Sequence, residues 1–427
     1  MPTPTLAPAP DEPDLAALAA PLPLRCGTAL ANRIAKPALS ENLATLGNDP
    51  SPGLIRLYGR WAGSGAGLLI TGNVMIDRRA LGEVGNVVVD EHTDRDRLHQ
   101  WATTATAGGA AVWAQLNHPG RQVPRLLARR SVAPSAIPVA GHGALFSTPR
   151  ALGAAEISDL IARFAASARI ALDAGFTGVE IHAAHGYLIS QFLSPLTNQR
   201  TDAWGGTPAD RRRFLLEVVS AVRAEVGGCV PVAVKLNSAD FQRGGFDQGE
   251  SLECVAALAD AGIDLLEISG GTYEAAAMMG VGGPTKESSR AREAYFLTYA
   301  EEVRGTTDLP LMLTGGFRTA RGMSEALIGG AVDLVGVGRP LVVQPDFAAA
   351  LLDGRTTRSE AQPRRLGLAS IDGLTELAWY AQQMRRLARG ADPVPTRHPL
   401  TSLAHYLLGT MIDSARGAGR GLMLRLR

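Results

Sequence analysis

Eight short apolar segments recur along the chain, and stretches with helical spacing of apolar residues lie between them. Most of these segments lack strict alternation, which is typical of parallel strands covered on both faces. The segments are Arg33–Pro37, Gly67–Thr71, Ala111–Leu116, Gly178–His182, Val230–Asn237, Asp264–Ser269, Pro310–Thr314 and Asp333–Val337. Strands that alternate with helices indicate βαβ units, and about eight such units predict one α/β domain, a single (β/α)₈ TIM barrel over residues 25–354. A doubly wound sheet is the competing architecture, because periodicity alone does not count strands.

Three parts of the chain fall outside this alternation. Residues 1–24 are rich in Pro and Ala and predict a flexible leader. Residues 117–153 are irregular and contain five prolines, so we expect a lid or small subdomain inserted after the third strand. Residues 355–427 predict a helical C-terminal extension that packs on the barrel, with a basic tail at its end. A solvated tail is the expectation for Arg416–Arg427, and a role in covering a neighbour's active site is the alternative.

Charge and cysteine content exclude several classes of partner. The formal net charge is +1, so nothing predicts a nucleic-acid or acidic-membrane partner. The three cysteines lie far apart without CxxC spacing, which argues against a disulfide framework and favours a reducing cytoplasm. No uninterrupted apolar run is long enough to span a bilayer. We therefore expect a cytoplasmic protein.

A polar cluster stands at the end of one predicted strand. His182 and His185 follow the segment that begins at Gly178, and Tyr187 comes two residues later. The carboxyl ends of barrel strands carry the chemistry of that fold. Two imidazoles there can donate N–H groups to one ligand oxygen, and the tyrosine beside them is a candidate proton donor. The alternatives are a pair of structural histidines and a metal site, although no HExxH spacing or third ligand is nearby.

Glycine-rich segments end the last two predicted strands. Gly315–Gly316–Phe317 follows one, and Gly338 and Arg339 follow the next. Barrels often hold a phosphate between these two loops, using backbone N–H groups that glycine lets approach closely. The alternative is two turns that only close the barrel. The earlier Gly63–Gly67 segment does not predict a dinucleotide site, because its glycines precede a strand instead of following one.

Two further polar residues lie within or at the end of apolar strands. Lys235 is unlikely to be buried without a partner, so it either compensates an anion in the barrel mouth or pairs with a carboxylate. Gln115 ends the third strand, where its amide can both donate and accept a hydrogen bond.

Together these motifs resemble the Old Yellow Enzyme family of FMN-dependent ene-reductases. The similarity runs from Leu30 to about Asp346, and its longest ordered part is Gly178 to Phe214. Asn32–Pro37 is similar to the first strand of the family, and Gln115–Gln122 is similar to its third-strand motif. The glycine segments after the last two strands are similar to the family's phosphate loops.

The resemblance implies a tightly bound FMN, NADH or NADPH as electron donor, and a small-molecule activated alkene as substrate. It implies that His182 and His185 bind the substrate carbonyl oxygen and that Tyr187 protonates the α-carbon. The contacts that it implies for FMN are Pro37, Ala38, Leu39, Asn73, Gln115, Lys235, Gly315, Gly316, Phe317, Gly338 and Arg339. It leaves a homo-oligomer open and requires no metal. Hydride chemistry then belongs to the flavin, while the protein positions and polarises the substrate.

Some residues depart from the family pattern. Leu39 stands where many members carry a Thr or Cys that hydrogen-bonds the flavin, which predicts a lower reduction potential. Asn117 replaces a tryptophan that some members have beside the substrate. Two other functions remain as alternatives: an FMN-dependent oxidase or dehydrogenase of amine or C–H substrates, and a non-catalytic sensor that binds flavin or phosphate.

Overall fold

A closed barrel of eight parallel strands forms the centre of the structure, a computed structural model. The structure describes residues 13–141, 145–269, 296–362 and 364–409, apart from 365 and 368. In chain order the strands are β1 (Leu22–Pro23), β2 (Ala29–Leu30), β3 (Ile34–Lys36), β4 (Leu68–Ile70), β5 (Val74–Met75), β6 (Ala111–Asn117), β7 (Arg130–Ala133), β8 (Thr148–Ala151), β9 (Gly178–Ala183), β10 (Val232–Asn237), β11 (Leu265–Ser269), β12 (Leu311–Thr314) and β13 (Leu334–Gly336). The barrel runs β3-β4-β6-β9-β10-β11-β12-β13 and closes where β13 pairs with β3. The predicted TIM barrel is confirmed.

Helices cover the outside of the barrel. They are α1 (Leu15–Ala19), α2 (Pro52–Ala62), α3 (Arg95–Thr106), α4 (Ala154–Asp173), α5 (Leu188–Leu193), α6 (Pro208–Val226), α7 (Gln248–Asp260), α8 (Leu297–Arg304), α9 (Ala320–Ile328), α10 (Gly338–Val343), α11 (Phe347–Leu352) and α12 (Ala369–Ala388). Side-chain caps set where several of them begin: Ser51, Asp94 and Thr207 each accept a hydrogen bond from a backbone N–H of the first turn. The helices bury apolar faces on the outer side of the strands, which explains why most strand residues are apolar on both faces.

The barrel interior changes from apolar to polar along the strands. At the amino end, Trp113, Leu265 and Met312 form an inner cluster, to which Leu22 and Leu30 of the β1–β2 hairpin also belong. Side chains alternate across each strand, so the next inward positions are two residues further on. In β6 and β11 these positions are Gln115 and Glu267, and the polar layer lies directly below the carboxyl end of the barrel.

The amino-terminal segment differs from the predicted leader where the structure describes it. From residue 13 the chain is folded, because Asp14 caps α1 and Leu18 of that helix is fully buried. The content of proline and alanine predicted less order than residues 13–24 have, because composition does not show that one leucine is buried and anchors a short helix. The first twelve residues lie outside the described part of the chain.

The insertion after the third barrel strand contains the two-stranded sheet β7–β8. The guanidinium of Arg121 donates to the carbonyls of Ile137 and Pro138, which ties the insertion together internally. The C-terminal extension is helical as predicted, and α12 packs against α2. Residues 410–427, which include the predicted basic tail, lie outside the described residues. Among the described helices, none is long and apolar enough to cross a membrane.

Candidate active site

A cavity of about 400 Å³ opens at the carboxyl end of the barrel. All but one of the residues predicted for catalysis or cofactor binding line it: Pro37, Ala38, Leu39, Asn73, Gln115, His182, His185, Tyr187, Lys235, Gly315, Gly316, Gly338 and Arg339. The exception is Phe317, whose side chain is buried in the hydrophobic core beside the glycine loop. A volume of this size is typical of a small-molecule or cofactor site.

Strand register explains how residues distant in sequence come together. Gln115 of β6 lies opposite Glu180 of β9, and Lys235 of β10 lies between His182 of β9 and Glu267 of β11. Register partners on neighbouring parallel strands point to the same face of the sheet, so these side chains all enter the barrel interior. An amide, an ammonium group and an imidazole therefore lie on adjacent strands at the cavity floor.

The two histidines and the tyrosine form one compact group. The ring centroids of His182 and His185 are 5.0 Å apart, and those of His182 and Tyr187 are 4.9 Å apart. The backbone turns sharply between them, because His185 and Gly186 have φ values of 62° and 73°. A non-glycine residue rarely adopts this left-handed conformation. The strain at His185 is accommodated because Asn237 Oδ1 accepts its backbone N–H at 3.2 Å.

Hydrogen bonds orient these side chains. His182 Nδ1 accepts the N–H of Ala184 at 3.2 Å, so the proton of the neutral ring is on Nε2, where it can be donated. His185 Nε2 lies 2.8 Å from Ser269 Oγ. The hydroxyl of Tyr187 accepts a hydrogen bond from Asn73 Nδ2 at 3.4 Å. The ends of β9, β10 and β11 and the loop that carries Asn73 therefore fix the positions of the candidate catalytic groups.

Burial keeps both imidazoles neutral. It lowers the pKa of His182 well below the ordinary value, and the charges of His185 and Lys235 act in the same direction. Burial, reinforced by Lys235, lowers the pKa of His185 to about 3. Neutral imidazoles at neutral pH act as hydrogen-bond donors and not as acids, which suits them to hold an oxygen that gains negative charge.

A buried ionic network underlies the group. Lys235 Nζ donates to Glu267 Oε1 at 2.9 Å, and Gln115 Nε2 donates to Glu180 Oε1 at 2.7 Å. All four residues are at most 5% exposed. The sequence left two alternatives for Lys235, an anion in the barrel mouth or a carboxylate partner. The structure shows the lysine both lining the cavity and paired with Glu267.

The other end of the cavity is suited to an anion. Gly315 and Gly316 have φ values of 124° and 91°, a conformation that only glycine adopts readily. A Cβ added at Gly338 would lie 3.1 Å from Leu39 Cδ2, so glycine there lets two loops approach. Arg339 lines this end of the cavity, and its Nη1 is 2.9 Å from Glu376 Oε1 of α12.

Sequence reasoning missed the contribution of α12 to the cavity. Glu376, Leu377, Tyr380 and Met384 of this helix all line it. The apolar face of α12 was visible in the sequence, but its partner was not, because docking of a distant helix depends on three-dimensional packing. The acidic residue on that face was the available signal, since a buried carboxylate requires a cationic partner.

Comparisons with known proteins agree with this geometry. The profile of the NADH:flavin oxidoreductase / NADH oxidase family matches residues 17–358. The NADH-dependent flavin oxidoreductase iliE of Hypocrea jecorina (strain QM6a) is 41% identical over 350 residues, which are 76% of this chain and 86% of that protein. An Old Yellow Enzyme homologue from Zymomonas mobilis has a structure with a TM-score of 0.67 at 26% identity, covering 80% of this chain and 94% of the other. Morphinone reductase in complex with tetrahydroNAD has the same TM-score and identity, covering 80% and 92%.

Proposed function

Because the chain belongs to the NADH:flavin oxidoreductase / NADH oxidase family, as a member of the Old Yellow Enzyme type, we propose that it reduces the C=C bond of activated alkenes. Family membership makes the protein an FMN-dependent NAD(P)H oxidoreductase, which displaces the alternative of a non-catalytic sensor. The substrate class that we propose is a small α,β-unsaturated carbonyl compound or a similarly activated alkene. The observation that carries the proposal is the convergence of His182, His185 and Tyr187 on the cavity that Lys235 and Arg339 also line.

The cavity fits FMN on observations of the chain itself. Pro37, Ala38 and Leu39 offer an apolar wall, while Gln115 and Lys235 offer an amide and a cation at the polar floor. At the opposite end the glycine backbone and Arg339 suit a phosphate. A side chain at position 338 would fill space between the loops, since its Cβ would meet Leu39 and Pro37 at 3.1 and 3.4 Å. We therefore assign the ring to the Lys235 end and the phosphate to the Arg339 end.

FMN, when bound, supplies the hydride that reduces the alkene. The protein's part begins with His182 and His185, which hold the carbonyl oxygen of the substrate. Negative charge grows on that oxygen as the β-carbon is reduced, so donors that are already in place stabilise the transition state more than the ground state. His182 Nε2–H is one such donor, since its Nδ1 is occupied by the backbone of Ala184.

Tyr187 then delivers a proton to the α-carbon of the substrate. Its ring lies against His182, and its hydroxyl oxygen accepts a hydrogen bond from Asn73 Nδ2. The proposed proton donor then lies beside the two imidazoles proposed to hold the carbonyl oxygen. The residues that hold the carbonyl oxygen during hydride addition and the residue that donates the proton are thus different members of one group of side chains.

Replacement of Tyr187 by Phe tests this division of roles. We expect reoxidation of the reduced enzyme by a cyclic enone to slow by roughly 10²- to 10⁴-fold, the usual contribution of a positioned general acid. Reduction of the enzyme by NADH or NADPH should keep its rate, because that step takes no proton from Tyr187. Stopped-flow absorbance measures the two half-reactions separately. The matched control is Tyr299→Phe, which removes a buried hydroxyl bonded to Ser251 outside the cavity. Equal slowing of both half-reactions in the Tyr187 variant would contradict the role.

A further inference from the structure

Two glutamates in the barrel interior have no part in the proposed reaction. Glu180 of β9 and Glu267 of β11 stand on either side of β10, whose inward residue is Lys235. Glu180 and Glu267 have no exposed surface, and Lys235 is 5% exposed. A buried carboxylate is destabilising unless it is paired, and two of them share one ammonium group here.

The hydrogen bonds indicate how this pair is arranged. Lys235 Nζ donates to Glu267 Oε1 at 2.9 Å, and Gln115 Nε2 donates to Glu180 Oε1 at 2.7 Å. The remaining carboxyl oxygens, Glu180 Oε2 and Glu267 Oε2, are buried and have no hydrogen-bond partner among the described residues. Two buried carboxyl groups beside one ammonium group favour a state in which one of them holds a proton, because the ammonium compensates only one negative charge.

The distribution of charge assigns that proton. Burial raises the pKa of Glu180 well above the ordinary value, and the neighbouring Glu267 raises it further. For Glu267 burial also acts upward, but the charge and the hydrogen bond of Lys235 act downward, and its pKa lies below the ordinary value. Glu180 is thus the neutral acid and Glu267 the anion. Lys235, Glu267 and Glu180 then carry no net charge as a group.

Other titratable groups near the pair do not change this balance. His182 and His185, above it on β9 and the following turn, are neutral because burial lowers the pKa of each. Lys36 of β3 also acts electrostatically on both glutamates, but it has its own counter-charge in Glu41, 3.8 Å away. The charged groups that decide the state of the pair are therefore the pair itself and Lys235.

We propose that Glu180 and Glu267 share one proton in the oxidised enzyme and take up a second proton from solvent when the flavin is reduced. With both carboxyl groups protonated, Lys235 faces the reduced ring as an uncompensated cation. A reduced flavin held there would carry a negative charge, which a neutral Lys235–Glu267 pair would not offset. The inference rests on the proposed position of Lys235 beside the flavin ring, and it does not depend on the identity of the alkene.

The pH dependence of the reduction potential tests the proposal. One proton accompanies two electrons when only the flavin takes up a proton, which lowers the potential by about 30 mV for each pH unit. Uptake of a second proton by the carboxyl pair doubles this slope to about 59 mV for each pH unit. We expect the steeper slope near neutral pH in the FMN-loaded wild type. In the double variant Glu180→Gln, Glu267→Gln, the slope should fall to about 30 mV, because neither amide binds a proton.

Infrared difference spectroscopy of the same enzyme locates the protons. Burial also raises the pKa values of Glu41, Glu83 and Asp240, so the absorption of Glu180 is identified by its loss in Glu180→Gln. The oxidised wild type should show the C=O absorption of a buried carboxylic acid that Glu180→Gln lacks, because the amide replaces the neutral acid, and reduction of the wild type should increase the absorption in this region. This single variant keeps its hydrogen-bonding capacity, so the proposal remains testable if the double variant does not fold.

Asp264→Asn provides the matched control. Asp264 is a buried acid just before β11, three residues from Glu267, and it pairs with Arg223 at the opposite end of the strand. Loss of its charge should leave the slope at its wild-type value.

Two results would overturn the proposal. One is a wild-type slope of about 30 mV for each pH unit over the whole range, the value for one proton. The other is an acid absorption in the oxidised state that Glu180→Gln leaves unchanged. Failure to reduce enones, with the two-proton slope intact, would overturn the proposed function and leave this inference standing.

Discussion

Burial affects the pKa values of the buried histidines more than neighbouring charges do. His118, His182 and His185 are all deprived of solvent, and in each case burial is the largest cause of a lowered pKa. At the residue scale, the result is a set of imidazoles that stay neutral under physiological conditions. Two of them line the candidate active site, while His118 accepts the N–H of Gly120 in the loop after β6.

The acid sensitivity of the fold follows from these neutral rings. Histidine in the unfolded chain titrates near pH 6.5, but the pKa of His118 in the fold is about 4. Below pH 6.5 the unfolded chain binds more protons than the folded one, so stability falls as the pH falls. The expected loss is up to about 1.4 kcal/mol for each pH unit from this residue.

Urea unfolding of His118→Gln between pH 7 and pH 5 measures this contribution. Relative to the wild type, the variant should lose less stability over that range, because glutamine does not titrate. The exposed His92 provides the control, since His92→Gln should leave the slope unchanged. An identical slope in wild type and His118→Gln would contradict the account.

Much of the candidate site could be predicted from the sequence at the level of single residues. His182, His185 and Tyr187 were recognisable because they follow a buried strand within a few residues, so local structure alone brings them together. The side chain of Phe317 lies in the hydrophobic core and not in the cavity, because a motif fixes the position of a loop but not the direction of an aromatic side chain within it. A contact of Phe317 with the cofactor remains a prediction that only its backbone can meet. The position of Glu180 and Glu267 on either side of β10 was not predictable, since it depends on the register of strands separated by full βαβ units.

At the scale of elements, the ends of the strands and helix α12 together form the site. The strand ends supply the candidate catalytic groups, and α12 closes the cavity at the Arg339 end. Glu376 of this helix is 4% exposed and lies 2.9 Å from the guanidinium of Arg339. A carboxylate at this position would compete with a phosphate of the proposed FMN for the same cation.

Removal of that carboxylate should therefore strengthen the binding of FMN. In Glu376→Gln we expect the dissociation constant of FMN to fall roughly two- to fivefold, the range given by a partly exposed ion pair of up to about 1 kcal/mol. Flavin fluorescence quenching during titration of the apoprotein measures the constant. Asp392, in the same extension as Glu376, forms an exposed ion pair with Arg60 of α2, and Asp392→Asn should leave the constant unchanged. Unchanged or weaker binding in Glu376→Gln would contradict the competition.

The strands were easier to predict than the connections between them. Continuous apolar runs mark strands that are covered on both faces, and all eight barrel strands fall within or beside the predicted segments. The β1–β2 hairpin was not predicted, because its two-residue strands leave no periodicity to detect. The contact of α12 with the cavity was equally invisible, because the sequence shows an apolar face without showing its partner.

At the scale of the whole molecule, one end of the barrel interior stabilises the fold and the other end carries the candidate active site. The amino end of the interior is filled by apolar side chains and covered by the β1–β2 hairpin. The carboxyl end carries the polar layer, the neutral imidazoles and the cavity. This division is typical of the fold, in which residues at the carboxyl ends of the strands determine function. It also explains why the function could be proposed from residues scattered over the entire barrel.

We propose that a single cavity of this protein receives a hydride from a nicotinamide and passes it to an activated alkene. The most direct measurement is an anaerobic titration of the FMN-loaded enzyme, followed by visible absorbance. We predict that NADH or NADPH bleaches the flavin, and that one equivalent of a cyclic enone then restores the absorbance and yields the saturated ketone. A bleached flavin that no enone reoxidises, or steady oxygen consumption with an amine and no nicotinamide, would contradict the claim.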